Sequence, residues 1–186
     1  MWHLPAGRED KLPLSGRNIG AAMDESVLRS MAKWPDVPDV YGWLSLDRRG
    51  NWLLRSAGAT SPCEKIGNRA LREFIARNYQ PDDRGCWYFQ NGPQRVFVAL
   101  AYAPLVVRHE GEALEDHCGR PFALHEAFLD DEGSVLLLGK AGVALLDDRD
   151  LERYAERAAS LRPVRRREVE KRFGFTANPT TGSGPF

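Results

Sequence analysis

The chain has 186 residues, and its 26 basic and 26 acidic side chains give a formal net charge of zero. That balance argues against a general polyanion binder while allowing local charged patches, and a hydrophobic content of 42% argues against wholesale disorder. The longest apolar stretch, residues 96–107, contains Pro104 and is shorter than the roughly 20 residues of a membrane-spanning helix. We therefore expect a folded chain that spans no membrane.

The cysteines indicate a reducing compartment. Cys63, Cys86 and Cys118 are odd in number and widely spaced, which is not the pattern of a disulfide framework. The first twenty residues carry mixed charge and no continuous apolar core, so they do not have the pattern of a secretory signal. We expect a cytoplasmic protein with reduced thiols.

The first predicted elements are an extension and two helices. Residues 1–22 are rich in glycine, proline and charge, and we predict a flexible N-terminal extension there. A short helix is predicted to follow it. In the second helix Leu71 and Ile75 share one face, Asn68 is the expected N-cap, and Pro81 is the expected stop.

Three segments repeat one local pattern, in which an acidic loop ends in glycine and leads into an apolar strand. The loops are residues 47–50, 82–85 and 130–133. Glycine at the end of a short polar loop supplies the positive φ that many hairpins need. The pattern therefore predicts repeated β-hairpins rather than alternating strand–helix units.

Two more helices are predicted towards the C-terminus. The first begins after Asp147 or Asp148 and ends at Pro163. The second is short and basic, and an irregular tail follows it, together occupying residues 163–186. Gly174 is placed to end this last helix in a left-handed conformation.

Together these elements predict an α+β fold. Mainly antiparallel β-hairpins would form a curved sheet or partial barrel, with one helix between hairpins and helices at the C-terminal end. We expect residues 23–162 to form a single β-rich domain. Two sub-domains, at about residues 40–108 and 120–162, are the alternative.

The densest group of titratable side chains lies between residues 109 and 132. Its candidate metal ligands are His109, His117, Cys118 and His125, because imidazole and thiolate are ligands that zinc prefers. His117 and Cys118 are adjacent, however, and on a strand they would point to opposite faces. A cysteine–histidine dyad would need a geometry that no spacing here provides. We therefore favour an exposed acidic loop and assign no metal, cofactor or catalytic residue.

The second charged group is the basic segment at residues 162–172, which includes Arg165, Arg166 and Arg167. It could contact nucleic-acid phosphates, dock an acidic partner such as a second copy of the chain, or form a solvated face with internal ion pairs. The solvated face is the favoured interpretation. Phe173 and Phe175 follow, and either pack onto the domain or bind a partner; packing is commoner.

Residues 41–108 resemble a proteobacterial family of short cytoplasmic proteins that is known only as a domain of unknown function. The resemblance rests mostly on turn and core positions: Gly50, Trp52, Ile66, Asn68, Leu71, Gly85, Gly92, Pro93, Val96, Ala103 and Pro104. It implies a β-rich α+β fold built from hairpins around a helix. It brings no activity, cofactor or catalytic residue.

No catalytic motif is present, so an enzyme is the less favoured interpretation. We predict a non-enzymatic module that interacts with an unidentified protein or small ligand, with self-association as a further expectation. One alternative is a small metal-binding protein or enzyme that uses residues 109–125. The second is nucleic-acid binding through residues 162–172, from Arg162 to Arg172.

Overall fold

A computed structural model describes residues 25–34, 36–55 and 63–180. The predicted extension at residues 1–22 and the last residues of the predicted tail lie outside this range. Within it the helices are α1 (Glu25–Lys33), α2 (Arg69–Arg77), α3 (Glu152–Ala155) and α4 (Val169–Phe173). The strands are β1 (Val40–Leu46), β2 (Trp52–Arg55), β3 (Cys63–Lys65), β4 (Tyr79–Pro81), β5 (Trp87–Asn91), β6 (Gln94–Leu100), β7 (Leu105–Glu110), β8 (Ala113–Asp116), β9 (Leu124–Asp130), β10 (Val135–Gly139), β11 (Gly142–Leu146) and β12 (Arg162–Val164).

The strands form two six-stranded sheets, with orders β3-β2-β1-β6-β5-β4 and β12-β9-β10-β11-β7-β8. In the described part of the chain, seven strand pairings are antiparallel and three are parallel, namely β1 with β6, β7 with β11, and β9 with β12. The predicted α+β class and the predominance of antiparallel hairpins are therefore confirmed. The three parallel pairings were not predicted.

The two sheets share one topology. In the first, the hairpin β1–β2 lies beside the meander β4–β5–β6, and β1 and β6 are the parallel neighbours. In the second, the hairpin β7–β8 lies beside the meander β9–β10–β11, and β7 and β11 are the parallel neighbours. In each sheet, therefore, a parallel pair joins the first strand of the hairpin to the last strand of the meander.

Helix α2 forms as predicted. The Asn68 side chain accepts a hydrogen bond from the Leu71 backbone N–H at 3.0 Å, which caps the first turn. Ile75 is 2% exposed and belongs to a core cluster that includes residues of both sheets. The opposite face of α2 carries arginines and is left to line the space between the sheets.

The C-terminal region corrects two predictions. The helix expected after Asp147 is broken into two 3₁₀ turns with the four-residue α3 between them. The basic helix is also shorter than expected, because residues 162–164 form edge strand β12 beside β9. Pro163 explains this, since proline disfavours the helical conformation in the residue before it and is tolerated on an edge strand. Gly174 ends α4 with φ 68°, as predicted.

None of the helices in the described residues is both long enough and apolar enough to cross a bilayer.

Candidate functional site

Four loops share one hydrogen-bonded frame. In each, an aspartate carboxylate accepts hydrogen bonds from the backbone N–H groups two and four positions later. A glycine three positions after the aspartate has positive φ, which only glycine adopts without strain. Three of these loops were predicted. The fourth, which we call the Asp116 loop, comprises residues 116–120 and was missed. The four aspartates are Asp47, Asp82, Asp116 and Asp130.

The Asp116 loop places His117 and Cys118 in a turn rather than on a strand, so their side chains lie on the same side. The Cys118 Sγ is 3.6 Å from the His117 Nε2. The Val106 backbone N–H donates to the His117 Nδ1 at 3.2 Å, and the imidazole ring packs 5.1 Å from the ring of Trp52. The expectation that these two side chains point apart assumed a strand and is wrong for that reason.

Burial controls the protonation of both groups. It lowers the pKa of His117 to about 4 and raises the pKa of the Cys118 thiol. At neutral pH the imidazole is uncharged and the thiol keeps its proton. Because a nucleophilic cysteine needs its thiolate form, this contact does not have the chemistry of an activated cysteine–histidine pair.

The other two candidate metal ligands lie elsewhere. His109 is on β7, where its Nε2 is 3.4 Å from the Tyr154 hydroxyl, and His125 is an exposed residue of β9. Of the four candidates, only His117 and Cys118 contact each other. No group of three or more His, Cys, Asp or Glu side chains in the described ranges could hold a metal ion.

A cleft of about 770 Å³ lies next to the Asp116 loop. Helix α2 lines one side of it, and strands β7 and β8 of the second sheet line the other. We call this cleft the arginine cleft. Its floor includes Trp52, Val106, His117 and Cys118. Six arginines and four carboxylate side chains line it: Arg49, Arg69, Arg72, Arg77, Arg108 and Arg149, with Glu73, Glu115, Asp116 and Asp147.

Two of these arginines are fixed by carboxylates at the end of β11. Arg149 makes a two-point contact with the buried Asp147, with Nε–Oδ1 and Nη2–Oδ2 distances of 2.8 and 2.6 Å. The hydrogen bond from Arg149 lowers the pKa of Asp147 to about 2. Arg49, from the loop between β1 and β2, donates through Nε and Nη2 to Asp148 at 3.2 and 2.7 Å. A carboxylate therefore holds each of these two guanidinium groups in place.

The arginine side chains of α2 and β7 are held by fewer carboxylate contacts. Arg69 is paired with Glu73 at 2.6 Å, four residues later on α2. Arg72, one turn along, is half-buried and has no ion-pair partner in the described part of the chain. Across the cleft, Arg108 contacts Glu110 at 2.5 Å. Each of these arginines therefore keeps N–H donors that no carboxylate of the cleft uses.

The predicted partner-binding residues near the C-terminus lie away from this cleft. Arg165 and Arg167 are exposed, whereas the Arg166 guanidinium lies 3.4 Å from the centre of the Tyr102 ring. Phe173 packs against Phe128 with ring centres 5.2 Å apart, and Phe175 is 6% exposed. Their assignment to a partner stays a prediction.

A comparison with protein families shows which family the chain belongs to. The model of the DUF2944 family, described as "Protein of unknown function (DUF2946)", matches residues 23–180. The chain belongs to this family. The expected resemblance to a domain of unknown function is confirmed, and the match to DUF2944 extends well beyond residues 41–108. No match was found among curated proteins.

Two solved structures are similar to this DUF2944 protein. One is a DUF1285 family protein from Silicibacter pomeroyi DSS-3, with 16% identity over 65% of this chain and 72% of that chain and a TM-score of 0.46. The other is a DUF1285 family protein from Shewanella baltica OS155, with 16% identity over 61% of this chain and 90% of that chain and a TM-score of 0.43. Both likenesses are too distant to bear on function.

Proposed function

We propose that this DUF2944 protein is a non-enzymatic binding module of the cytoplasm that holds an anionic ligand in the arginine cleft. The observation that carries the proposal is the convergence of six arginines, from α2, β7 and two loops, on one cleft of about 770 Å³. Ligand sites of small molecules typically have volumes of about 300–1,000 Å³. The free state of Cys63, Cys86 and Cys118 supports the proposed compartment.

The charges of the cleft support an anion. Six guanidinium groups face four carboxylates among the lining residues. Three of these carboxylates are already used inside the protein, since Asp147 binds Arg149, Asp116 binds Arg120 at 2.9 Å, and Glu73 binds Arg69 at 2.6 Å. The remaining N–H donors form charge-assisted hydrogen bonds best with carboxylate or phosphate oxygens.

The floor of the cleft supports binding rather than covalent catalysis. His117 and Cys118 are both uncharged at neutral pH for the reason given above. An apolar floor beneath a cationic rim suits a ligand with a charged part and an uncharged body.

The alternatives receive less support. Nucleic-acid binding at residues 162–172 has fewer free cations than the sequence suggests, since Arg162 contacts Glu126 at 2.5 Å and Arg172 lies 4.7 Å from the Phe128 ring centre. Metal binding would need ligands that the candidate residues do not bring together. Self-association stays a prediction.

Isothermal titration calorimetry tests the proposal with a panel of sulfate, orthophosphate, pyrophosphate and citrate. The cleft variant is the double substitution Arg72→Gln and Arg108→Gln. The control is Arg165→Gln with Arg167→Gln, which removes the same charge from exposed positions outside the cleft. We expect the cleft variant to bind at least one anion about tenfold or more weakly, because each charge-assisted hydrogen bond contributes about 1.5–3 kcal/mol. Equal weakening in the control, or no binding of any anion by the unmodified protein, would refute the proposal.

A further inference from the structure

We infer that the ligand of the arginine cleft is a small molecule with two or more linked phosphoryl groups, which bridges the arginines of α2 and those of β7 and the loop after β11. This inference rests on the proposed function and names the ligand class. It depends on how the cations are distributed around the cleft rather than on their number.

The cations occupy two opposing sides. Arg69 and Arg72 are three residues apart on α2, so they are neighbours on one helical face, with Cβ atoms roughly 5–6 Å apart. Arg108 and Arg149 belong to the second sheet, on β7 and just after β11. A ligand with a single anionic group can satisfy one side only. Linked phosphoryl groups present acceptor oxygens in several directions and can satisfy both.

Two of the arginines keep hydrogen-bond donors that their carboxylate partners do not use. Arg149 uses Nε and Nη2 for Asp147, and Arg49 uses the same two atoms for Asp148. In each residue Nη1 keeps its two N–H groups, and the carboxylate holds the guanidinium plane in place. Such fixed guanidinium groups lose little side-chain entropy on binding an oxyanion.

The volume of the cleft and the charge of the chain favour a small ligand. The cleft volume is that of a small-molecule site, and the zero net charge of the chain provides no long-range attraction for a nucleic-acid polymer. A phosphoryl chain, free or carried by a nucleoside, fits both constraints.

One lining carboxylate opposes the ligand and provides a gain-of-affinity test. Glu115 lies directly across from Arg108 in the β7–β8 ladder and lines the cleft. Its negative charge repels a phosphate bound at Arg108. We expect Glu115→Gln to tighten the binding of tripolyphosphate by about threefold to tenfold, because removing a nearby like charge at the protein surface is worth about 1 kcal/mol.

The deciding experiment is calorimetry at constant ionic strength in metal-free buffer with the full chain. The probes are orthophosphate, citrate, pyrophosphate, inorganic tripolyphosphate, adenosine triphosphate and an eight-nucleotide single strand of thymidylate. We expect tripolyphosphate to bind at least tenfold more tightly than orthophosphate or citrate. Arg72→Gln and Arg108→Gln, made singly, should each weaken tripolyphosphate binding about tenfold, whereas Arg167→Gln should leave it unchanged.

Each outcome has one meaning. Equal binding of tripolyphosphate and adenosine triphosphate supports a ligand recognised by its phosphoryl chain, and tighter binding of the nucleotide supports a nucleoside-borne chain. If citrate or orthophosphate binds as tightly as tripolyphosphate, or if the thymidylate strand binds more tightly than every small probe, the inference is wrong although anion binding stands. If no probe binds, both the inference and the proposed function fail.

Discussion

The loop that starts at Asp47 and the Asp116 loop use the same backbone frame for opposite purposes. In the first, Arg49, which lines the arginine cleft, extends outward and pairs with Asp148. In the second, His117 and Cys118 turn inward and form its floor. The frame needs only an aspartate at its first position and a glycine at its fourth. The two middle positions are therefore free to carry either exposed charge or buried side chains.

The largest expected effect comes from removing the aspartate of the Asp116 loop. Asp116 is 4% exposed and binds Arg120, whose Nη1 and Nη2 atoms are buried without hydrogen-bond partners in the described residues. Asp116→Ala would leave a buried guanidinium uncompensated and should lower the free energy of unfolding by about 3–5 kcal/mol. Asp47→Ala should cost about 1–2 kcal/mol, because its hydrogen bonds are partly exposed to solvent. Urea unfolding of both variants measures the difference. Equal losses would show that the two loops are energetically equivalent.

The second prediction compares the loss of stability caused by glycine-to-alanine substitutions in the same two loops. Gly50 has φ +75°, and a Cβ built there would lie 2.6 Å from the Cβ of His117. Gly119 has φ +78°, but nothing lies within 4 Å of its added Cβ. Gly119→Ala should therefore lower the free energy of unfolding by about 1–2 kcal/mol, which is the strain of placing alanine in the left-handed conformation. Gly50→Ala should cost about 3 kcal/mol in total, because steric overlap adds to that strain. Thermal unfolding of the pair checks this, and a smaller loss in Gly50→Ala would contradict the contact.

The smallest of the three effects is a pH dependence that belongs to the Asp116 loop alone. Because burial lowers the pKa of His117 from 6.5 to about 4, the folded state favours the neutral imidazole. Its contribution to stability is complete above pH 6.5 and is lost as pH falls towards 4. Between pH 7 and pH 5 the loss should be about 2 kcal/mol.

Unfolding in urea at pH 7, 6 and 5 tests this dependence. His117→Gln should flatten the pH dependence, whereas His125→Gln, at an exposed position of β9, should not change it. An unchanged slope in His117→Gln would assign the acid sensitivity to other groups.

Local features of the fold could be predicted from the sequence, because they depend on near neighbours in the chain. The Asn68 cap, the end of α4 at Gly174 and the loops beginning at Asp47, Asp82 and Asp130 each need only residues within four positions. The Asp116 loop has the same spacing. It was missed because Arg120 and Pro121 follow its glycine instead of an apolar run, and because its histidine and cysteine suggested metal chemistry.

The arginine cleft could not be predicted, because its arginines come from segments up to 100 residues apart in the chain, at Arg49 and Arg149. Nothing in their local sequence distinguishes them from other exposed arginines. The parallel pairings that bring these segments together leave no pattern in the sequence either. A strand that pairs with a distant parallel partner has the same alternation as one in a hairpin.

The parallel pairs β1–β6 and β7–β11 also limit when each sheet can be completed during folding. Val40 pairs with Val96, and Leu105 pairs with Ala144, so each pair joins residues far apart in the chain and carries a high loop-closure entropy. During synthesis the ribosome must release β6 before β1 can gain its parallel neighbour. Until then, the strands of this sheet that can pair with β1, directly or through a neighbour, are β2 and β3. Slow folding is the expected consequence of these distant pairings.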